Sequence, residues 1–180
     1  KAVLFFADGT EECEALLVAD LLRRARVEVI IASAMGRRAL VSSHGIHLNA
    51  DALAEDVDYS DVDMVILPGG IPGTPNLAEN KTVTDTCVSF AKAGKKVAAI
   101  CAAPSVLAQY GLLAGRRATC YPGCEDQMGS AHMVCAPAVT DGKLITGTSA
   151  GCAVPFGLAL IAALKGQAAA QAVAEQIVIR

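Results

Sequence analysis

The sequence predicts an α/β fold: a doubly wound parallel sheet with helices on both faces and a small added hairpin. Three observations carry that prediction. Runs of Val, Ile, Leu, Phe and Ala recur without the polar alternation of a half-exposed strand, as in strands buried on both faces. Helical patterns separate these runs throughout. The chain has 180 residues, 53% of them apolar, enough for one full core but not comfortably for two, so a single domain over residues 1–180 is expected.

The elements follow in order. "AVLFFA" at 2–7 reads as the first core strand. "DGTEECEALLVADLLRRAR" at 8–26 reads as a helix over 11–25, with Asp8 as N-cap, Glu11 completing a capping box, and the basic "RRAR" at the end that cations suit. "VEVIIAS" at 27–33 is the second strand, and "ALVSSHGIHLNAD" at 39–51 alternates around Gly45 like an appended hairpin. "VDMVILPGG" at 62–70 is a strand running into glycines, followed by a helix over 81–93 and the strand "KVAAI" at 96–100. A helix over 102–110 precedes short strands in "RATCYP" and "MVCAPAVTDG", with Asp141-Gly142 turning into the strand "KLITGT" at 143–148. Helices over 152–164 and 167–174 close the fold.

Composition excludes several functions. A net charge of −3 without a basic run argues against nucleic acid as a partner. The longest apolar stretch, 152–164, falls short of the roughly 20 residues of a membrane helix, so no membrane partner is expected. The chain opens as a core strand rather than a secretory leader, and its seven cysteines contain no CxxC pair; buried free thiols in a cytoplasmic protein are expected. Cys120, Cys124 and His132 match no familiar closed zinc spacing, and no Gly-rich phosphate loop with a Lys is present, so neither metal nor cofactor is expected. His44, His47 and His132 read as surface groups.

Sheets of this type bind ligands beyond the carboxyl ends of their strands, near the point where strand order reverses. Cys101 stands at one such strand end, between strand 96–100 and a helix that Pro104 helps begin, with small Ala102 and Ala103 permitting a tight turn. This is a nucleophile elbow, and a thiol at a helix N-terminus is favoured as thiolate. The alternative is a cysteine packed as a small hydrophobe; its position and flanking residues favour the reactive reading. Glu14 falls on the apolar stripe of Leu17, Val18, Leu21, Leu22 and Ala25, where loss of water raises a carboxyl's pKa and leaves it a proton donor. Gly69 and Gly70, in "LPGGIPG", either form an ordinary turn or, with Ala102, offer backbone N–H groups to an anion or oxyanion.

"AICAAP" around Cys101, "DGTEECEA" around Glu14 and "VILPGGIPGTPNL" together resemble the ThiJ/PfpI superfamily, in the branch of the parkinsonism-associated deglycases and their bacterial relatives. The resemblance implies a flavodoxin-like, class I glutamine amidotransferase-like sheet and a homodimer. It also implies an oxidation-prone cysteine at Cys101, a protonated glutamate at Glu14 bonded to it, and backbone donors at Gly69 and Gly70. The chain departs from the family pattern in places. Ala102 stands where the protease-like branch has histidine, which removes a Cys-His dyad. Tyr121 before Pro122 replaces a common histidine, His44 replaces an arginine, and a stretch containing Ser149, Gly151 and Cys152 replaces a "GPGT"-like loop, changing the pocket rim at Tyr121, Pro122, Ser149 and Gly151.

The resemblance implies a cofactor-independent, glyoxalase- or deglycase-like enzyme acting on a small-molecule aldehyde or glycated substrate. The alternatives are an oxidation sensor with little turnover and a chaperone-like protein acting through a dimer surface. A thiazole monophosphate label, used in this superfamily, finds no support in the residues.

Overall fold

Strands and helices alternate as the apolar runs require; the computed structural model describes residues 1–179. β1 (Ala2–Phe6) leads through a π-helical turn, Cys13–Leu17, into α1 (Val18–Arg24) and then β2 (Val29–Ser33). β3 (Ala39–Val41), β4 (His47–Asn49) and β5 (Ala52–Leu53) precede β6 (Met64–Leu67), α2 (Gly73–Glu79), α3 (Lys81–Lys92) and β7 (Lys96–Ile100). α4 (Pro104–Gln109), β8 (Arg117–Ala118), β9 (His132–Met133), β10 (Ala138–Asp141) and β11 (Leu144–Gly147) follow, and α5 (Ala153–Lys165) and α6 (Gln167–Gln176) complete the order.

Seven strands form one sheet in the order β10-β11-β7-β6-β1-β2-β5, parallel except for β10, which returns antiparallel on β11. Successive side chains of a strand face opposite sides, so a strand covered on both must be apolar throughout. Ala2, Leu4 and Phe6 accordingly join one core with Leu21, Phe156 and Leu160, while Val3, Phe5 and Ala7 join the other with Leu77, Phe90 and Leu107. Each such Leu or Phe contributes about 1.5–3 kcal/mol by leaving water. Gly157 brings α5 close to α1, since a Cβ there would lie 2.6 Å from Leu21 Cδ1.

The flavodoxin-like α/β prediction stands, with local corrections. The first helix has no side-chain cap: the Asp8 carboxylate instead accepts from the Val41 N–H at 3.0 Å and binds Arg37, tying the loop after β1 to the hairpin. Residues 73–79, where the sequence predicts no helix, form α2, with the Thr74 N–H reaching back 2.8 Å to the Gly70 carbonyl. β5 went unread, being a two-residue edge strand paired to β2. The 39–51 hairpin is a separate two-stranded sheet, β3–β4.

Candidate active site

β1 and β6 are neighbours, and the chain leaves β1 for β2 on one side and later crosses to β6 on the other. The loops after these strands, residues 7–11 and 68–72, meet at that reversal. The Glu11 N–H donates to the Gly69 carbonyl at 2.9 Å, and Asn76 Nδ2 donates to the Asp8 carbonyl at 2.9 Å. A Cβ on Gly70, whose φ is +95°, would strike the backbone of Gly9, Thr10 and Glu11. The glycines after β6 thus serve close backbone approach as well as turning.

The chain turns sharply at Cys101, whose φ of +66° is left-handed and costs a non-glycine residue of order 1 kcal/mol. Neighbours hold it there: the Cys101 N–H donates to the Gly147 carbonyl at 3.0 Å, and the Tyr121 N–H donates to the Cys101 carbonyl at 2.8 Å. Ser105 Oγ donates to the Ala102 carbonyl at 2.7 Å, bracing the first turn of α4. The sequence marked the elbow, but Gly147 and the Tyr121 amide escaped it, since a backbone contact leaves no signature in side-chain type.

Glu14 lies in the π-helical turn and is fully buried. The wider π turn alters helical phase at this point, and such turns recur at functional sites. Glu14 Oε2 accepts from the Gly69 N–H at 2.8 Å, whereas Oε1 is buried without a hydrogen-bond partner among the described residues. Gly69 lies against both side chains, because a Cβ there would stand 2.7 Å from both Cys101 Cβ and Glu14 Oε2. Its expected role changes accordingly. The Gly69 N–H is taken by Glu14, and the backbone donors directed at the sulfur are those of Ala102 and Gly70.

Burial pushes the Glu14 carboxyl up to about 7, against the pull of Cys101 and the Gly69 N–H. Burial likewise pushes the Cys101 thiol up to about 12, reinforced by the negative charge and hydrogen bonding of Glu14 and opposed by the Ala102 and Gly70 N–H groups. The sequence expectation of a thiol made acidic by its helix is therefore corrected: loss of water and a neighbouring carboxylate outweigh the helix terminus. The pair resists a second negative charge. When Glu14 holds the proton, its carboxylate no longer opposes the thiolate.

Of the expected rim, Tyr121 is exposed and Pro122 borders a cavity of about 470 Å³ with Cys120, Cys135, Thr148 and Cys152. Cys152, rather than Ser149 or Gly151, lines that cavity, and Ser149 Oγ lies 3.8 Å from Cys152 Sγ. On the hairpin side, His44 Nδ1 is 2.8 Å from Glu12 Oε1, and Ser43 Oγ donates to Glu11 and Glu12 at 3.0 Å each. Glu11, Glu12 and His44 thus bring potential metal-ligating atoms within 4.8 Å of one another. Their hydrogen bonds already account for this arrangement. Among the described residues, no helix is long and apolar enough to cross a membrane.

Residues 1–163 match the DJ-1/PfpI family. The dj-1beta protein of Drosophila melanogaster is 34% identical, the match covering 99% of this chain and 97% of that one. A deglycase of Pyrococcus abyssi is 33% identical over 81% of this chain and 88% of its own length. The solved structure of oxidized DJ-1 from Toxoplasma gondii superposes with a TM-score of 0.94 at 32% identity, covering 98% of this chain and 96% of that one.

Proposed function

This chain belongs to the DJ-1/PfpI family, and from that premise we propose that it is a stress-protective enzyme that converts small reactive aldehydes, needing no cofactor. The observation that carries this reading is a buried carboxyl with one unsatisfied oxygen beside a thiol held on a strained turn. A buried polar atom without a partner calls for a missing proton or ligand. A proton on Glu14 directed at the sulfur would supply it.

With methylglyoxal, the Cys101 sulfur forms a bond to the aldehyde carbon, and the carbonyl oxygen takes a proton to give a hemithioacetal. Glu14 removes the proton from that carbon and returns one to the adjacent carbonyl carbon, converting the adduct to a thioester of the hydroxy acid. Water then cleaves the C–S bond, releasing lactate and restoring the thiol. The N–H groups of Gly70 and Ala102, which pull the Cys101 pKa down, would favour negative charge near the sulfur or the developing oxyanion. The similarity to a deglycase of Pyrococcus abyssi supports the same substrate class, including glycated molecules. The test is lactate formation from methylglyoxal, which Cys101→Ser should abolish; normal turnover by that variant overturns the mechanism.

A second reading draws on the similarity to an oxidized DJ-1: peroxide converts Cys101 to a sulfinate, steadied by the same N–H groups, with little turnover. Intact mass spectrometry across a peroxide series, beside the lactate assay, separates the two readings. Homodimerisation belongs to the proposal and is measured by light scattering.

A further inference from the structure

At the end of the sheet opposite Cys101, where β7 and β11 begin, a cavity of about 250 Å³ opens between the end of α3, the segment before β8 and the β10–β11 turn. Its apolar lining comes from Ala91, Val97, Leu112 and Leu144, and its cations are Lys95, Arg116 and Lys143; among the described residues no acidic side chain lines it. Two of the cations are held in place. Lys95 Nζ donates to the Tyr59 and Ser60 carbonyls at 3.3 and 3.1 Å and stands 4.9 Å from the centre of the Phe90 ring. Arg116 Nη1 lies 3.6 Å from Asp141 Oδ1 and 3.9 Å from where a Cβ on Gly142 would stand. Lys143 is exposed and has no ion pair among the described residues.

We propose that this cavity binds a small amphiphilic carboxylate, its short apolar body against Val97, Leu112 and Leu144 and its carboxylate at Lys143 and Arg116. Apolar walls with a few converging polar groups are the general form of a small-ligand site, and this volume lies just below the roughly 300 Å³ of the smallest drug-sized pockets, which fits a short chain. Lys143 and Arg116 beside an uncharged wall select charge, since an apolar pit alone would take a neutral molecule equally well. Asp141 neutralises part of the charge of Arg116 from outside the lining, which leaves Lys143 as the principal attraction.

Isothermal titration of the full chain with octanoate tests this, with octanamide as the neutral match. Octanoate should bind saturably at one site per chain, and octanamide at least about fivefold more weakly. Lys143→Glu should weaken octanoate by a similar factor. Ala91→Trp, a substitution at an exposed position of α3 that fills the mouth, should abolish binding while the iodoacetamide reactivity of Cys101 stays unchanged. No saturable binding to the unaltered protein overturns the proposal. Equal affinity for octanoate and octanamide, or undiminished binding in both variants, also overturns it.

Discussion

Glu12 and Glu14 begin the same helix two positions apart, yet they are driven in opposite directions. Both lose water, which by itself raises a carboxyl's pKa. Glu12 faces the hairpin, where burial is outweighed by its own backbone N–H and by Ser42, Ser43 and His44, which hold it down at about 2. Glu14 faces the sheet edge and has Cys101 and the Gly69 N–H as its hydrogen-bonding neighbours, and burial pushes it up to about 7. Depth and donors act together: the fully buried Glu14 has a single backbone N–H at its carboxyl and is pushed up, whereas the less buried Glu12 is surrounded by donors and is held down. The helix turns one face to a hydrogen-bonding hairpin and the other to a thiol.

The comparison can be broken at several points. Glu14→Gln should lower lactate formation from methylglyoxal by roughly a hundredfold or more, because the proton carrier is lost, while Glu12→Gln should leave turnover within about threefold. Equal losses in the two variants would erase the distinction.

Stability against pH should show both signs. The folded-state pKa of Glu14 is raised, so its contribution is fully present below the ordinary value of 4.5 and lost as pH rises through about 7, a loss of about 3 kcal/mol. Glu12 is depressed, so its contribution is present above 4.5 and lost as pH falls through about 2. Urea unfolding of wild type and the two Gln variants across that range should show the high-pH fall removed by Glu14→Gln and the low-pH fall removed by Glu12→Gln. The Glu12 effect should be under about 1 kcal/mol, since its partner His44 is 70% exposed and screened by water.

Gly69→Ala should cost about 1–3 kcal/mol by forcing apart Cys101 and Glu14, and should alter Cys101 alkylation by iodoacetamide. Unchanged stability and alkylation would mean that the loop yields freely. The smallest effect belongs to Ser43→Ala, which removes a donor shared by Glu11 and Glu12. It should raise the Glu12 pKa measurably by NMR titration and leave Cys101 alkylation untouched.

Much of this was legible beforehand. The apolar runs at 2–6, 64–67 and 96–100 could satisfy both faces only in a covered parallel sheet, and the helical phase of Glu14 with Val18 and Leu21 foretold its burial. The π turn at Cys13–Leu17 was not legible, because its register depends on backbone hydrogen bonds rather than residue type. That the Gly69 N–H goes to Glu14 was not legible either, because residue type shows that a backbone is accessible but not which acceptor reaches it first.

The sequence by itself determined the layered sheet, the thiol at its edge and the buried acid, since periodicity and side-chain size are local and suffice to sort apolar from polar faces. Only the tertiary structure decided where each proton is held. That depends on how far each group is withdrawn from water and on which partners distant in the chain reach it, the Gly69 N–H for Glu14 and the Ser43 hydroxyl and His44 ring for Glu12, each at about 3 Å, the range over which hydrogen bonds act.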